Sequence, residues 1–323
     1  MRVFVTGGAG FISSTVVREL RARGDEVSAA VRQPDRAHAL RDLGCRLVGT
    51  DLSSTVELTG PMAGCDAVIH AAGSYRVGIL DRDRPAMADS NVGATTRVIA
   101  AARAAGIPRI LYLSTVNVFG NTHGEVVDET FRRDPKGGFL SWYDETKYRA
   151  HLIAEAQIAG GAPVVIAMPG QVYGPGDHSA VGQQLAGAFH GRLAYLALTD
   201  VGLCFVHVDD MAAGLLAALD RGRLGESYVF DGEPVRLIDA LRIAARLGGH
   251  RLPALSVPTR LLGLMAPLSG ALGGRLGVPA NLAEVFSAAD GVTYWASHAK
   301  ASRELGFAPR PLEAGLSDTF GAG

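Results

Sequence analysis

Short runs of β-branched and aliphatic residues alternate with longer segments rich in alanine, leucine and arginine over the first half of the chain. The short runs predict strands at Arg2–Thr6, Glu26–Arg32, Arg46–Gly49, Ala67–Ala71, Arg109–Ser114 and Pro163–Met168. The longer segments predict helices at Phe11–Arg23, Val92–Ala105 and Tyr143–Ala159. Alternation at this spacing is typical of right-handed crossovers, which build a parallel sheet with helices on both faces. The pattern therefore predicts an α/β fold.

The pattern becomes less regular after residue 170. It predicts strands at Leu203–Val208 and Ser227–Phe230 with the helix Met211–Asp220 between them, and proline and glycine concentrate after residue 250. We expect residues 1–170 to form the sheet domain. Residues 171–323 are expected to form mainly a smaller lobe, with later segments returning to the sheet.

Composition narrows the class of protein. The 323 residues are 48% hydrophobic and 20% charged, and the net charge of −1 gives no overall attraction to nucleic acid or to an anionic membrane. The uncharged stretch Leu261–Gly274 is too short to span a bilayer and predicts an apolar helical cap over a pocket. The spacing of the three cysteines, Cys45, Cys65 and Cys204, is not that of a metal site. The sequence also predicts no secretory leader. We expect a cytoplasmic protein without a metal, a nucleic-acid partner or a membrane contact.

A glycine-rich loop, TGGAGFIS at residues 6–13, lies between the first predicted strand and the first predicted helix. Glycines allow a tight turn and let the backbone approach a pyrophosphate, while the helix N-terminus supplies free N–H groups. Because the loop has this strand–turn–helix context, it predicts a dinucleotide site.

The second predicted strand ends at Arg32. Sites for NAD usually carry an Asp or Glu here, which accepts hydrogen bonds from the ribose hydroxyls. A guanidinium instead suits a 2′-phosphate. We therefore favour NADP and keep NAD possible, the alternative being that Arg32 is only a solvated surface residue.

Tyr143 and Lys147 are four residues apart on a predicted helix and therefore share one face. An ammonium near the phenol is expected to lower the tyrosine pKa, so that Tyr143 exchanges a proton with a substrate oxygen. Ser114 and Thr115 follow a predicted strand at the sheet edge where ligands bind in such folds, although both hydroxyls could instead cap local backbone groups.

These motifs together resemble the extended short-chain dehydrogenases/reductases, the NAD-dependent epimerase/dehydratase family. The resemblance covers nearly the whole chain and rests on TGGAGFIS at 6–13, Asp51-Leu52, HAAG at 70–73, Asn91, STVNVFG at 114–120, Tyr143/Lys147, PGQVYGPGD at 169–177, FVHVDD at 205–210 and KASRELGFAPR at 300–310. It implies a Rossmann-type doubly wound parallel sheet with a smaller C-terminal substrate lobe. It also implies a homodimer through the helices near 93–105 and 144–159.

The resemblance assigns site residues by position. It assigns catalysis to Tyr143, Lys147 and Thr115. Of the two neighbouring hydroxyl residues, Thr115 is preferred to Ser114. The cofactor residues, with Tyr143 and Lys147 as further contacts, are Gly7, Gly10, Phe11 and Ile12 at the pyrophosphate, Asp51 and Leu52 at the adenine, Ala71, Ala72 and Gly73 near the ribose and phosphates, and Pro169, Gly170 and Val172 at the nicotinamide.

Two departures bear on the substrate. Leu203 and Met168 stand where many nucleotide-sugar enzymes of the family carry arginine, and the loss of a phosphate clamp disfavours that substrate class. The stretch AVRQPDR at 30–36 resembles the dihydroflavonol-reductase and 3β-hydroxysteroid-dehydrogenase branch. We expect an NADP-dependent reductase of an apolar ketone or aldehyde. The alternatives are a nucleotide-sugar epimerase or dehydratase, in which Arg192 substitutes as the clamp, and a dinucleotide sensor without chemistry.

Overall fold

The computed structural model describes residues 1–257 and 281–321, and their strands and helices alternate through the first half. The strands are β1 Arg2–Thr6, β2 Glu26–Val31, β3 Arg46–Gly49, β4 Ala67–His70, β5 Ile110–Leu113, β6 Val164–Pro169, β7 Gln171–Tyr173, β8 Gly202–His207, β9 Ser227–Phe230 and β10 Pro234–Arg236. The helices, numbered through the described residues, are α1 Phe11–Ala22, α2 His38–Asp42, α3 Thr55–Met62, α4 Arg84–Ala88, α5 Ala94–Ala104, α6 Trp142–Ala159, α7 Ala180–Phe189, α8 Val208–Arg221, α9 Leu237–Leu247, α10 Leu282–Ala289, α11 Ala299–Leu305 and α12 Leu312–Phe320.

Seven strands form one sheet in the order β3-β2-β1-β4-β5-β6-β9, and every neighbouring pair is parallel. The order reverses beside β1, so the first crossovers go one way along the sheet and the later ones go the other way. The carboxyl ends of β1 and β4 meet at this switch point, where ligands bind in doubly wound sheets. The predicted Rossmann-type fold is confirmed.

Both faces of the sheet are buried. Along β1, Phe4 packs into one hydrophobic cluster while Val3 and Val5 pack into a second cluster on the other face. All three side chains have no exposed surface. Burial on both faces explains why the strands are nearly continuous apolar runs instead of alternating patterns.

A second sheet of three strands, in the order β10-β8-β7, lies outside the main one. β7 pairs with β8 in parallel and β10 pairs with β8 in the antiparallel sense. β9 comes from beyond residue 170 but pairs with β6 as the last strand of the large sheet. The chain therefore crosses between the two sheets more than once after residue 170.

Most predicted elements lie within one or two residues of their predicted bounds. The helix predicted from Met211 differs, since it begins three residues earlier, at Val208. A turn of π-helix at Asp89–Gly93 also precedes α5. The apolar cap predicted at Leu261–Gly274 falls outside the described residues. None of the helices in the described ranges has the length and apolarity that a membrane crossing requires.

Candidate active site

The loop after β1 approaches the backbone that follows β4 very closely. Gly7 has a φ of +71°, and a Cβ at this position would lie 2.7 Å from both the Cα and the N of Ala72. Any residue with a side chain would be strained in its backbone and would collide with that neighbouring backbone. The glycine at position 7 is therefore required by the turn itself.

The first turn of α1 faces this loop. Gly10 is the N-cap residue, and no side chain caps the turn. The N–H groups at the start of a helix carry partial positive charge and lack partners within the helix. Gly7, Gly10, Phe11 and Ile12 thus form a backbone cradle at the N-terminus of α1 that offers free N–H groups to an anion.

The end of β2 lies beside the cradle because β1 and β2 pair with Thr6 opposite Ala30. Arg32 follows two residues later and is exposed. Its side chain is free to reach a ligand at this edge of the sheet.

Asp51 and Leu52 lie in a tightly held turn after β3. Leu52 has a φ of +64°, which is costly for a branched side chain, yet it is buried. The turn is stabilised by a hydrogen bond of 2.9 Å from the Ser53 amide to Asp51 Oδ1 and one of 2.6 Å from Arg97 Nε to the Leu52 carbonyl. These bonds hold Leu52 in a conformation that its own preferences disfavour.

A buried histidine connects the loops after β1 and β4. Thr6 Oγ1 lies 2.8 Å from His70 Nδ1, and it also accepts a hydrogen bond of 3.2 Å from the Ala72 amide. His70 Nε2 lies 3.1 Å from Thr95 Oγ1, which itself donates to the Asn91 carbonyl. Thr95 must therefore accept from Nε2–H, and Thr6 must donate to Nδ1. Burial lowers the pKa of His70 to about 3, so the ring is neutral in this tautomer.

The hydrogen-bonded chain continues to the helix that carries Tyr143. Asn91 Nδ2 donates to Thr146 Oγ1 at 3.0 Å, and Thr146 Oγ1 donates to the Tyr143 carbonyl at 3.0 Å. Asn91 also pairs with Ser74 through both its oxygen and its nitrogen, at 2.7 and 3.1 Å. Buried polar groups that are all paired fix one geometry, so the glycine-rich loop and α6 are positioned relative to each other.

The N-terminus of α6 is strongly anchored. Ser141 Oγ accepts from the Asp144 amide at 3.0 Å, the arrangement expected of an N-cap serine. Asp144 forms an ion pair of 2.6 Å with Arg133, and both side chains are buried. These contacts set where α6 begins and hence which side chains of its first two turns face β5.

Tyr143 and Thr115 meet at the carboxyl end of β5. Thr115 caps the 3-10 turn Val116–Phe119 and donates to Asn117 Oδ1 at 3.0 Å, and its hydroxyl is also close enough to the Tyr143 phenol to act on the Tyr143 pKa. Tyr143 is 8% exposed, and the Tyr75 ring meets it edge-on with 4.7 Å between centroids. Of the two hydroxyls that follow β5, Thr115 is the one that acts on Tyr143.

Ser114, the less favoured candidate, has a different partner. Its Oγ lies 2.9 Å from His151 Nδ1, and it is buried. Successive side chains of an extended backbone point in opposite directions, so the Ser114 and Thr115 hydroxyls contact different neighbours.

Lys147 lies one turn after Tyr143 on the same helix face. Its Nζ donates to the Leu113 carbonyl at 2.9 Å and lies 5.3 Å from the centre of the Tyr112 ring. Burial lowers the pKa of Lys147 to about 8. The lysine therefore bridges α6 and β5 beside the tyrosine.

The expectation of a lowered Tyr143 pKa is not met in this structure, where burial is the largest influence. Burial raises the Tyr143 pKa, the neighbouring Tyr75 adds to the rise, and only the Thr115 hydrogen bond opposes it among the principal causes. The Lys147 ammonium is engaged by a backbone carbonyl, so desolvation of the phenol dominates. Tyr143 is consequently protonated at neutral pH.

The segment after β6 packs closely against the neighbouring strands. Gly170 donates its amide to the Phe230 carbonyl at 3.0 Å. A Cβ at Gly170 would collide with the Cys204 carbonyl and lie 2.7 Å from Asp231 Cβ. This glycine lets the strand end pack against β8 and β9, while Pro169 and Val172 flank it in buried positions.

Some functional neighbours were not found from the sequence. Glu284 in α10 accepts hydrogen bonds from the backbone amides of Gly78, Ile79 and Trp142. No local sequence pattern indicates this role. Among the aromatic residues of the described structure, Tyr75 contacts Tyr143, whereas Tyr195 is exposed and Trp295 packs under Arg236. Within residues 1–257 and 281–321, no group of three or more His, Cys, Asp or Glu side chains is arranged to hold a metal ion.

The chain is similar to one protein family, to individual relatives and to a solved structure. The model of the NAD dependent epimerase/dehydratase family matches residues 3–230. A 4-hydroxy-2-methyl-3-oxo-4-farnesyl-3,4-dihydroquinoline-1-oxide ketoreductase from Stigmatella aurantiaca is 30% identical over 96% of this chain and 92% of its own. A dTDP-glucose 4,6-dehydratase from Mycobacterium tuberculosis H37Rv is 31% identical over 76% of this chain and 77% of its own. The crystal structure of gox2253 matches with a TM-score of 0.83 at 30% identity, covering 99% of this chain and 97% of that chain.

Proposed function

The chain belongs to the NAD-dependent epimerase/dehydratase family, and from this premise we propose that it is an NADP-dependent reductase of a ketone or aldehyde on a largely apolar small molecule. The observation that carries the proposal is the meeting of Tyr143, Thr115 and Lys147 at the carboxyl end of β5, beside the switch point of the sheet. A ketoreductase relative that aligns with nearly the whole chain supports the same reaction class.

Tyr143 is the proton donor in this proposal. Because burial raises its pKa, its hydroxyl carries a proton at neutral pH and can pass it to a substrate carbonyl oxygen. Thr115 hydrogen-bonds the same oxygen and orients it. Lys147 keeps a positive charge next to β5, where it stabilises the negative charge left on the Tyr143 oxygen after proton transfer.

The dinucleotide, when bound, supplies the hydride that reaches the carbonyl carbon. The backbone cradle at Gly7, Gly10, Phe11 and Ile12 holds its pyrophosphate. The remaining contacts in the proposal come from Asp51 and Leu52 at the adenine, Ala71, Ala72 and Gly73 along the ribose and phosphates, Tyr143 and Lys147 at the nicotinamide ribose, and Pro169, Gly170 and Val172 at the nicotinamide.

Arg32 supports NADP as the cofactor. The residue at the end of β2 is a cation where an NAD site usually has a carboxylate, and it is exposed beside the cradle. A guanidinium makes charge-assisted hydrogen bonds to a phosphate that it cannot make to a ribose hydroxyl.

The surroundings of Tyr143 favour an apolar substrate. Its ring packs with Ile79 and Met87, and Val77 and Trp142 join the same cluster. Leu203, which replaces the phosphate-binding arginine of many nucleotide-sugar enzymes, is buried in β8 opposite Val235. Arg192, the possible substitute clamp, is exposed.

A nucleotide-sugar dehydratase or epimerase is the second candidate, and the similarity to a dTDP-glucose 4,6-dehydratase is the observation that favours it. Such an enzyme oxidises and re-reduces its substrate, so its cofactor is not consumed overall. The two candidates therefore differ in whether NADPH disappears during turnover.

The test follows NADPH absorbance with the purified full chain over a panel of apolar aromatic and aliphatic ketones and aldehydes. We expect substrate-dependent loss of one NADPH for each alcohol formed. The same preparation is denatured, and the released small molecules are weighed by mass spectrometry. A retained nucleotide sugar without NADPH consumption would contradict the reductase and support the second candidate, whereas tight NADPH binding without any chemistry would support a sensing role.

A further inference from the structure

One buried carboxylate joins three separate parts of the chain around the candidate active site. Glu284 lies in the first turn of α10 and is 9% exposed. Its Oε2 accepts hydrogen bonds from the amides of Gly78 at 2.7 Å and Ile79 at 3.2 Å, and its Oε1 accepts from the Trp142 amide. Three donors offset the cost of removing the carboxylate from water.

Two of these donors belong to the loop 74–80 that follows β4. The loop is held at its beginning by Asn91, which pairs with Ser74. It is held at its end by Glu284 and by a hydrogen bond of 3.0 Å from the Asn281 amide to the Gly78 carbonyl. Between these anchors the Tyr75 ring lies edge-on against Tyr143.

The third donor is the first residue of α6. The early N–H groups of a helix have no partner within it, and the side chain of the N-cap residue Ser141 satisfies only that of Asp144. Glu284 satisfies that of Trp142, the residue next to Tyr143. A carboxylate at this end also interacts favourably with the helix dipole.

We propose that Glu284 is a positioning residue of the active site, which fixes the start of α6 and the loop 74–80 against each other and so sets the place of the Tyr143 hydroxyl. The inference rests on the proposed function, because it assigns Tyr143 the proton transfer. Glu284 acts through Tyr143 and makes no contact with the phosphate-binding backbone at residues 7–12 in the described structure.

Glu284→Gln tests this inference in the full-length protein. In glutamine one of the two carboxylate oxygens is replaced by an NH2 group, which cannot accept a hydrogen bond from a backbone N–H. Either the loop 74–80 or the start of α6 therefore loses its hydrogen bond to residue 284. We expect kcat for ketone reduction to fall roughly 10- to 100-fold, the range that a displacement of about 1 Å at a reacting group causes. The KM and the Kd for NADPH are expected to change less than about twofold, since the cradle is untouched.

A second readout needs no turnover. Amide hydrogen exchange at Gly78, Ile79 and Trp142 is expected to accelerate in Glu284→Gln and to stay unchanged in Ser287→Ala, the matched control on the exposed side of the same helix. Glu284→Asp, which is one methylene shorter, serves if the glutamine variant does not fold, with the same expected losses.

An unchanged kcat in a folded Glu284 variant would overturn the inference, and so would unchanged exchange at the three amides. If the wild-type protein reduces no ketone while exchange at the three amides still accelerates in the Glu284 variant, the proposed function is overturned instead. The two failures are therefore distinguishable.

Discussion

Tyr143 and Lys147 illustrate how burial sets the chemistry of single residues. The same loss of water raises the tyrosine pKa and lowers the lysine pKa to about 8, because desolvation disfavours whichever form is charged. The tyrosine is therefore protonated at neutral pH. The lysine keeps its ammonium through the hydrogen bond to the Leu113 carbonyl.

Arg32→Ala should reduce the preference for NADPH. The expected result is about tenfold weaker binding of NADPH, or about 1.4 kcal/mol, with NADH binding unchanged, because only NADPH carries the phosphate that pairs with the guanidinium. Titration of cofactor fluorescence measures both constants. Arg46→Ala, an equally exposed arginine at the start of β3, is the control. An unchanged ratio of the two affinities would show that Arg32 does not read the 2′-phosphate.

Many strands and helices were predictable because each has a strong local signal in the sequence. β1, β3 and β9 have the predicted bounds, since apolar runs flanked by glycine or charged residues mark where a buried strand ends. The glycine-rich loop was equally clear, because a tight strand-to-helix turn with positive φ selects glycines that are visible in the sequence itself.

Other elements left no local signal. β7 and β10 are three residues long, too short for an alternating pattern, and they exist because β8 pairs with both. The π-helical turn Asp89–Gly93 arises where Asn91 turns inward to bond Ser74 and Thr146. Glu284 lies 142 residues from Trp142 in the sequence, so only the folded structure relates them.

At the scale of the whole molecule, a buried acid joins the large sheet to the segment before α11. Asp231 follows β9 and has no exposed surface, and its Oδ1 lies 3.1 Å from His298 Nδ1. Burial raises the pKa of Asp231 to about 6, while the hydrogen bond with Asp231 raises that of His298. The pair links protonation to the stability of this junction.

The contribution of the Asp231–His298 pair to stability should decrease as pH rises from about 4 to about 7. Well below the unfolded pKa of 3.8, Asp231 is protonated in the folded and unfolded states alike. As pH rises, the unfolded chain ionises first and folding becomes less favourable, by about 3 kcal/mol for a shift from 3.8 to about 6. His298 acts in the same direction, since its raised pKa stabilises the folded state at low pH and that stabilisation is lost as it deprotonates.

Urea unfolding at several pH values measures this dependence. Asp231→Asn should flatten it, whereas Asp239→Asn, an exposed carboxyl paired with Arg242, should leave it unchanged. An Asp231→Asn protein with the wild-type slope between pH 4 and 7 would contradict the assignment.

The most direct test of the central claim compares ketone reduction by the wild-type protein and by Tyr143→Phe. Loss of the proton donor should lower kcat/KM by roughly 10²- to 10⁴-fold while NADPH still binds. Tyr148→Phe, on the same helix with its ring against Phe139 and Arg133, should retain wild-type activity. If Tyr143→Phe keeps most of kcat/KM, Tyr143 is not the proton donor and the proposed mechanism is wrong.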